Sequence, residues 1–312
     1  MLEFRRALVT GGAGFIGSHL VDRLTVEGCD VVVLDDFSSG RAQNLADSSR
    51  SKKLRIIEGN ICDETAVRKA AKDAEVVFHL AAQSSVEQSA KNPAETQRIN
   101  VDGTKTLLEV ASKAGVKRFV FASSAAVYGN PRKLPVVEGD KLAPISPYGE
   151  SKLAGEKLCG EFNDPTGLAT CRLRYFNVYG PRCNKGDVIS SFLEAVSNNR
   201  RPVIYGNGTQ SRDFVYVKDA VAATLSAAVS AGTVGQAINV CTGIPTQITA
   251  VLELISNLVP QKASGLVPEY LPARAGDIHE SYGSPNLARQ LMDFGFRTSI
   301  QEGLEALLNR VW

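Results

Sequence analysis

A tyrosine and a lysine four residues apart, Tyr148 and Lys152 in Y-G-E-S-K, directly follow Ser146-Pro147. Serine then proline is a helix start, a cap residue followed by a ring at the first helical position. Residues i and i+4 share a helix face, so the phenol and the ammonium are neighbours. Such a pair can move a proton. A free phenol has a pKa of about 10, and bringing it to about 7 needs about 4 kcal/mol of differential stabilisation. A nearby ammonium and a second cation in a partly desolvated site can supply that. Ser124, in S-S-A-A-V-Y-G (Ser123 to Gly129), adds a hydroxyl after an apolar run. By itself Y-x-x-x-K is common on amphipathic helices, so its surroundings must decide.

The second chemical signal is T-G-G-A-G-F-I-G, Thr10 to Gly17. Gly12, Gly14 and Gly17 give G-x-G-x-x-G, and Gly11, Gly14 and Gly17 give the wider G-x-x-G-x-x-G. Both follow an apolar strand and open a helical pattern. Glycines permit a tight turn and close backbone approach, and the helix N-terminus faces a pyrophosphate. The next strand ends in Asp35-Asp36, where an acid accepts from the adenosine ribose and repels a 2′-phosphate. The spacing predicts NAD rather than NADP. A nicotinamide upstream of a tyrosine and a lysine means hydride and proton transfer on an alcohol.

The elements that must position these groups alternate. Apolar runs at Ala7–Thr10, Val31–Leu34, Leu54–Ile57, Val76–Leu80, Phe119–Ala122 and Ala169–Leu173 read as buried parallel strands. Amphipathic stretches Phe15–Glu27 and Thr104–Ala114 each stop at a glycine, Gly28 and Gly115. This predicts an α/β fold, a doubly wound Rossmann parallel sheet with a smaller C-terminal substrate-binding lobe. After Arg174 turn signals crowd in. The expected division is an NAD-binding domain over 1–176 and a lobe over 177–312, with 213–242 returning to the first; Phe214–Val217 and Ala237–Val240 are the candidate returning strands.

Bulk properties narrow the class. The chain has 312 residues, 44% hydrophobic and 22% charged, as in a soluble globular protein. Thirty-five basic and 33 acidic residues leave a net charge of +2, which gives no footprint for nucleic acid. No apolar run approaches the roughly 20 residues that span a bilayer, and the N-terminus lacks a signal-peptide shape, so cytoplasmic residence is expected. The six cysteines are scattered without C-x-x-C and read as reduced thiols; the three histidines match no metal motif.

Taken together, T-G-G-A-G-F-I-G, H-L-A-A-Q (His79 to Gln83), the Ser123–Gly129 run, S-P-Y-G-E-S-K and R-Y-F-N (Arg174 to Asn177) resemble the extended short-chain dehydrogenase/reductases. The likeness runs nearly the full length and is greatest to the UDP-glucose 4-epimerase group. The resemblance implies that Tyr148 is the base on the sugar 4-hydroxyl, that Lys152 holds the nicotinamide ribose and lowers the tyrosine pKa, and that Ser124 hydrogen-bonds the reacting oxygen. It implies NAD contacts from Gly11, Gly14, Phe15, Ile16, Gly17, Asp35, Asp36, Ser38, Ser39, Gly40, Asn60, Ile61, Leu80, Ala81, Ala82, Gln83, Asn100 and Phe176. Asn60 departs from the usual aspartate there. His79 reads as a core histidine and Ser123 as turn-forming.

The same resemblance implies a UDP-sugar as substrate. Arg212 and Arg274 match diphosphate contacts, Asp277 a nucleoside contact, Asn177 the phosphate region. Val203, Ile204 and Tyr205 match the uracil site, Val188 and Ile189 another wall. Ser281 stands where a bulky tyrosine in the family excludes N-acetylated sugars. Three readings remain beside 4-epimerisation of a UDP-hexose. A dehydratase needs an acid and a base where Ala125 and Ala126 stand. A uronate 4-epimerase needs a carboxylate clamp, to which Arg182 and Lys185 are candidates. A non-catalytic NAD-binding regulator has little need of Ser124, Tyr148 and Lys152 together. The family usually dimerises, so a homodimer is expected, through the stretches 95–114 and 147–162.

Overall fold

The computed structural model describes residues 2–163, 167–183, 186–273, 278–292 and 295–311. The chain opens with β1 (Arg6–Thr10), α1 (Phe15–Val26), β2 (Asp30–Asp35), β3 (Leu54–Glu58), α2 (Glu64–Ala71) and β4 (Val76–His79). Two short helices, α3 (Val86–Lys91) and α4 (Pro93–Gln97), precede a π-helical turn at Arg98–Asp102 and α5 (Gly103–Lys113). Then come β5 (Arg118–Ser124), α6 (Pro147–Asn163) and β6 (Ala169–Tyr175). The remainder runs β7 (Asn177–Tyr179), α7 (Val188–Ser197), β8 (Val203–Tyr205), β9 (Ser211–Tyr216), α8 (Val217–Val229), β10 (Ala237–Val240) and β11 (Pro245–Gln247). It ends with α9 (Ile248–Leu258), α10 (Pro260–Ala263), β12 (Glu269–Leu271), β13 (Glu280–Ser281), α11 (Asn286–Met292) and α12 (Ile300–Val311).

Among the described residues a seven-stranded sheet has the order β10-β6-β5-β4-β1-β2-β3, and every pairing in it is parallel. Parallel strands covered on both faces need apolar side chains on both faces, which is why Val76–His79 is buried at every position. Leu20, Val21 and Leu24 of α1 lie in the core cluster on one face, with Val9 and Phe78; Leu107, Leu108 and Ala111 of α5 lie in the cluster on the other, with Leu8 and Val77. The strand order reverses on either side of β1, with β2 to one side and β4 to the other. The carboxyl ends there form the crevice where such sheets bind ligands.

The six strands expected in the first half are present within one or two residues at each end. The expected return of Phe214–Val217 to the main sheet is not. Those residues form the end of β9, which pairs with β7 in parallel and with β11 antiparallel, and Val217 begins α8. Phe214 meets Tyr179 edge-on and Tyr216 meets it at a tilt, with ring centres 6.2 and 5.6 Å apart, so the strand is anchored in a separate core with Phe192, Ile255 and Leu304. β10 does join the main sheet, beside β6, in the register Ile238 opposite Leu173.

α6 packs on β5 with no side chain between them at Gly155. A β-carbon there would collide with the ring of Phe121, which is 1% exposed. Overpacking a filled core costs about 1–3 kcal/mol, while a glycine-to-valine change recovers under about 1 kcal/mol in helix propensity. Gly155→Val is therefore expected to lower the urea midpoint with an unchanged m-value. An unaltered midpoint would show that the contact is not tight.

Candidate active site

The glycine loop carries the chain from β1 into α1 under the end of β4. A β-carbon at Gly17 would run into the carbonyl of Gly11, so that closeness requires glycine. The start of α1, at Gly14, has no side-chain cap and no acid in its first turn. Its free N–H groups and positive dipole end are open to an anion. A cavity of about 630 Å³ extends from this loop to Tyr148 and Lys152.

Asp35 and Asp36 divide their work. Asp35 is 7% exposed; it accepts from the Ala13 N–H at 2.8 Å and the Phe37 N–H at 2.9 Å, and burial raises its carboxyl above the ordinary value. It holds the glycine loop in shape. Asp36 is more open and accepts from Ser38 and from the Asn60 amide at 2.7 Å. Asn60 in turn accepts from the Cys62 N–H at 2.9 Å, so it steadies Asp36 as well as lining the cavity.

Of the residues expected to contact the cofactor, Gly40 and Asn100 do not line this cavity; the others do. Gly40 is packed behind it, against Ala13 and Asp35. Asn100 is 2% exposed and serves Gln83, accepting from its N–H at 2.8 Å and donating to its carbonyl at 2.9 Å. Gln83 Oε1 is buried with no protein partner. A buried unpaired acceptor is costly and asks for a donor. That orphan, the uncapped helix start and the acid pair fit a dinucleotide of the NAD type.

Ser124 ends β5, and its Oγ accepts from the Ala126 N–H at 3.1 Å, capping a short 3-10 turn, Ala125–Tyr128. Tyr148 and Ser124 line the same cavity. Burial pushes the Tyr148 phenol above its ordinary pKa, and the neighbouring Ser124 hydroxyl acts against that rise. Lys152 Nζ donates to the Ala122 carbonyl at 2.7 Å, 5.9 Å from the centre of the Tyr148 ring. Burial lowers Lys152 to about 8.

Behind these groups lies a buried polar network. Glu156, one turn beyond Lys152 on α6, is bidentate to Arg174 of β6, at 2.7 and 2.9 Å, and accepts from Ser123 at 2.5 Å. Arg174 also donates to the Tyr128 hydroxyl at 2.9 Å, and Tyr128 donates to Asn239 of β10 at 2.6 Å. Ser123 is thus a strand-end link, not a turn former. His79 is bonded to Thr10 at 2.7 Å and Thr104 at 2.8 Å, and burial, then Lys152, lowers it to about 3. It is a neutral core residue.

A second cavity of about 290 Å³ adjoins the first, and Val178 lines both. Asn177, Val188, Val203, Ile204, Tyr205 and Arg212 line it, as expected of a nucleotide site. Ile189 is 1% exposed and sits in the core beneath. Ser281 pairs in register with Arg212 on the neighbouring strand and does not line either cavity. Arg274, Asp277 and Lys185 lie outside the described residues. Arg182 is bonded to Asp22 at 2.6 Å and Asp47 at 2.9 Å, on the side of α1.

Sequence reasoning missed Ser84, Ser85 and Gln88 in the first cavity and Gln210, Ser191 and Phe192 in the second. Gln210 had a signal, since it stands two residues before Arg212 on an extended segment. Ser84 and Ser85 follow His79–Gln83 directly. Among the described residues no helix is long and apolar enough to cross a membrane.

A family profile described as the NAD dependent epimerase/dehydratase family matches residues 7–241. The UDP-glucose 4-epimerase of Mycolicibacterium smegmatis is 39% identical over 304 residues, covering 96% of each chain. A crystal structure of the Thermotoga maritima UDP-glucose 4-epimerase with UDP-glucose superposes with a TM-score of 0.92 at 35% identity, over 98% of both chains. The UDP-N-acetylglucosamine 4-epimerase of Methanobrevibacter ruminantium, in complex with UDP-N-acetylmuramic acid, gives 0.90 at 35% identity, over 98% of this chain and 99% of that one. The cofactor of such proteins is NAD, which the larger cavity fits. With a profile spanning most of its length and relatives aligned end to end, the chain belongs to the NAD dependent epimerase/dehydratase family.

Proposed function

We propose that this enzyme interconverts UDP-hexoses at C4 through a transient 4-keto sugar. The observation that carries the reading is that Tyr148, Ser124 and Lys152 line one cavity with the glycine loop. NAD, when bound, supplies the acceptor and donor for the C4 hydride. Tyr148 Oη takes the proton of the sugar 4-hydroxyl and later returns it. Ser124 Oγ hydrogen-bonds the same oxygen, and Lys152, held by the Ala122 carbonyl, keeps a cationic group beside the phenol. Residues 1–176, with part of 213–242, would hold the cofactor and most of 177–312 the nucleotide sugar. Arg212 and Asn177 in the second cavity would meet the diphosphate, between walls of Val203, Ile204 and Tyr205 that suit a flat base. Arg274 and Asp277 belong to the same proposal, as does assembly as a homodimer.

Two details support epimerisation of a neutral hexose over the rivals. The positions after Ser124 that elimination would need as acid and base are Ala125 and Ala126. Arg182, a candidate clamp for a uronate carboxylate, is already held by Asp22 and Asp47.

Removing the phenol oxygen removes the proton acceptor, and general-base catalysis is worth about 10²–10⁴-fold. Tyr148→Phe is expected to retain NAD and lose epimerisation by at least that factor. Near-normal turnover in that variant would remove Tyr148 from the mechanism. The small Ser281 beside Arg212 leads us to expect turnover of UDP-GlcNAc as well as UDP-glucose. Product analysis by NMR over UDP-glucose, UDP-GlcNAc and UDP-glucuronate tests this; absence of N-acetylhexosamine product refutes it.

A further inference from the structure

The first N–H groups of a helix have no partner within it. In α6 these include the N–H groups of Tyr148 and Gly149. Gly149 donates to Ser146 Oγ at 3.1 Å, a local cap. Tyr148 donates instead across the fold, to Ser89 Oγ of α3 at 3.2 Å. Ser89 is fully buried, and its own hydrogen is committed to the Val86 carbonyl at 2.6 Å. Its lone pair therefore faces Tyr148 in a fixed direction. The carbonyl of Tyr148 is held as well: it accepts from Ser151 Oγ at 2.7 Å, and Ser151 accepts from Asn100 at 2.9 Å.

We propose that Ser89 is a positioning residue for Tyr148, acting through the main-chain N–H of the tyrosine. This rests on the reading of Tyr148 as the proton acceptor. With its N–H tied to Ser89 and its carbonyl to Ser151, the Cα of Tyr148 is fixed between two buried hydroxyls. Tyr148 itself lines the cavity, so a shift of its main chain moves the phenol within it. Ser89 also joins Tyr148 to the cavity rim, because α3 is capped by Ser85, whose Oγ accepts from the Gln88 N–H at 3.1 Å, and Ser85 and Gln88 both line the cavity. No part of this role is visible in the sequence, where the two residues are 59 positions apart.

The test uses Ser89→Ala, Ser89→Cys and Ser89→Thr in the full-length protein, with UDP-glucose as substrate. A misplacement of about 1 Å costs up to about a hundredfold in rate. In Ser89→Ala, kcat is expected to fall about ten- to a hundredfold, with KM within about threefold and NAD content unchanged. The Tyr148 amide should exchange faster with solvent. Ser89→Cys, nearly the same shape but a weak acceptor, should behave like alanine, and Ser89→Thr should recover most of the rate. A kcat within twofold of the parent in Ser89→Ala overturns the proposal; if that variant does not fold, Ser89→Cys decides by the same criterion. A loss of rate that only tracks loss of NAD or of folded protein also overturns it. Faster amide exchange with unchanged kcat rejects Ser89 while leaving Tyr148 as base, whereas full activity of Tyr148→Phe rejects the base and leaves the exchange result standing.

Discussion

The pairing of Glu156 with Arg174 is the contact against which Ser124, Tyr148 and Lys152 are set. Both side chains are almost wholly buried, at 6% and 4% exposure. Ions in such a place lose several kcal/mol of hydration each, and mutual attraction compensates only if the remaining hydrogen-bonding capacity is filled. Here it is filled. Ser123 donates to the carboxylate, and the Tyr128 hydroxyl and Glu138 carbonyl accept from the guanidinium. The network spans α6, β5, β6 and β10. Lys152 lies one turn before Glu156, and Ser124 is the neighbour of Ser123, so a shift of the pair displaces both. The same pair raises Arg174 further above its high ordinary value, against the burial that lowers it, so the charge persists.

Electrostatics at the mouth of this network run opposite to a simple lysine-lowers-tyrosine scheme. Desolvation drives both groups toward neutrality, Tyr148 upward and Lys152 down to about 8. The neighbouring Ser124 hydroxyl acts against the rise of the phenol without being the larger effect.

Much of this was legible from residue types and spacing. Long apolar runs give strong strand signals, and a glycine loop between a strand and an amphipathic helix has few other uses. Tyr148, Lys152 and Ser124 fell into one cavity because each lies at or near the carboxyl end of a strand of one sheet. What stayed hidden depends on pairing across distance. β7 and β8 span three residues each, too few for a periodicity, and the placement of β9 follows from aromatic contacts among Phe214, Tyr216 and Tyr179. The turn at Asn100 is a π-helical step, so a residue expected beside the cofactor was rotated behind Gln83. Arg182 looked available to a substrate until its partners, 160 and 135 positions away, were seen.

The insertion of β10 beside β6 has a consequence for how such proteins can be recombined. The backbone leaves the large sheet after β6, returns through α8 to β10, and leaves again toward β11 and α9. α11 then packs back against β10 and α8 before α12 closes the smaller core. The large sheet and the smaller core are thus interleaved along the chain rather than joined end to end. A chimera with one splice at residue 176 would set a foreign β10 against β6, across a register in which Ile238 stands opposite Leu173. Exchanging specificity between relatives would take several matched splices, or a handful of side-chain changes in an intact frame.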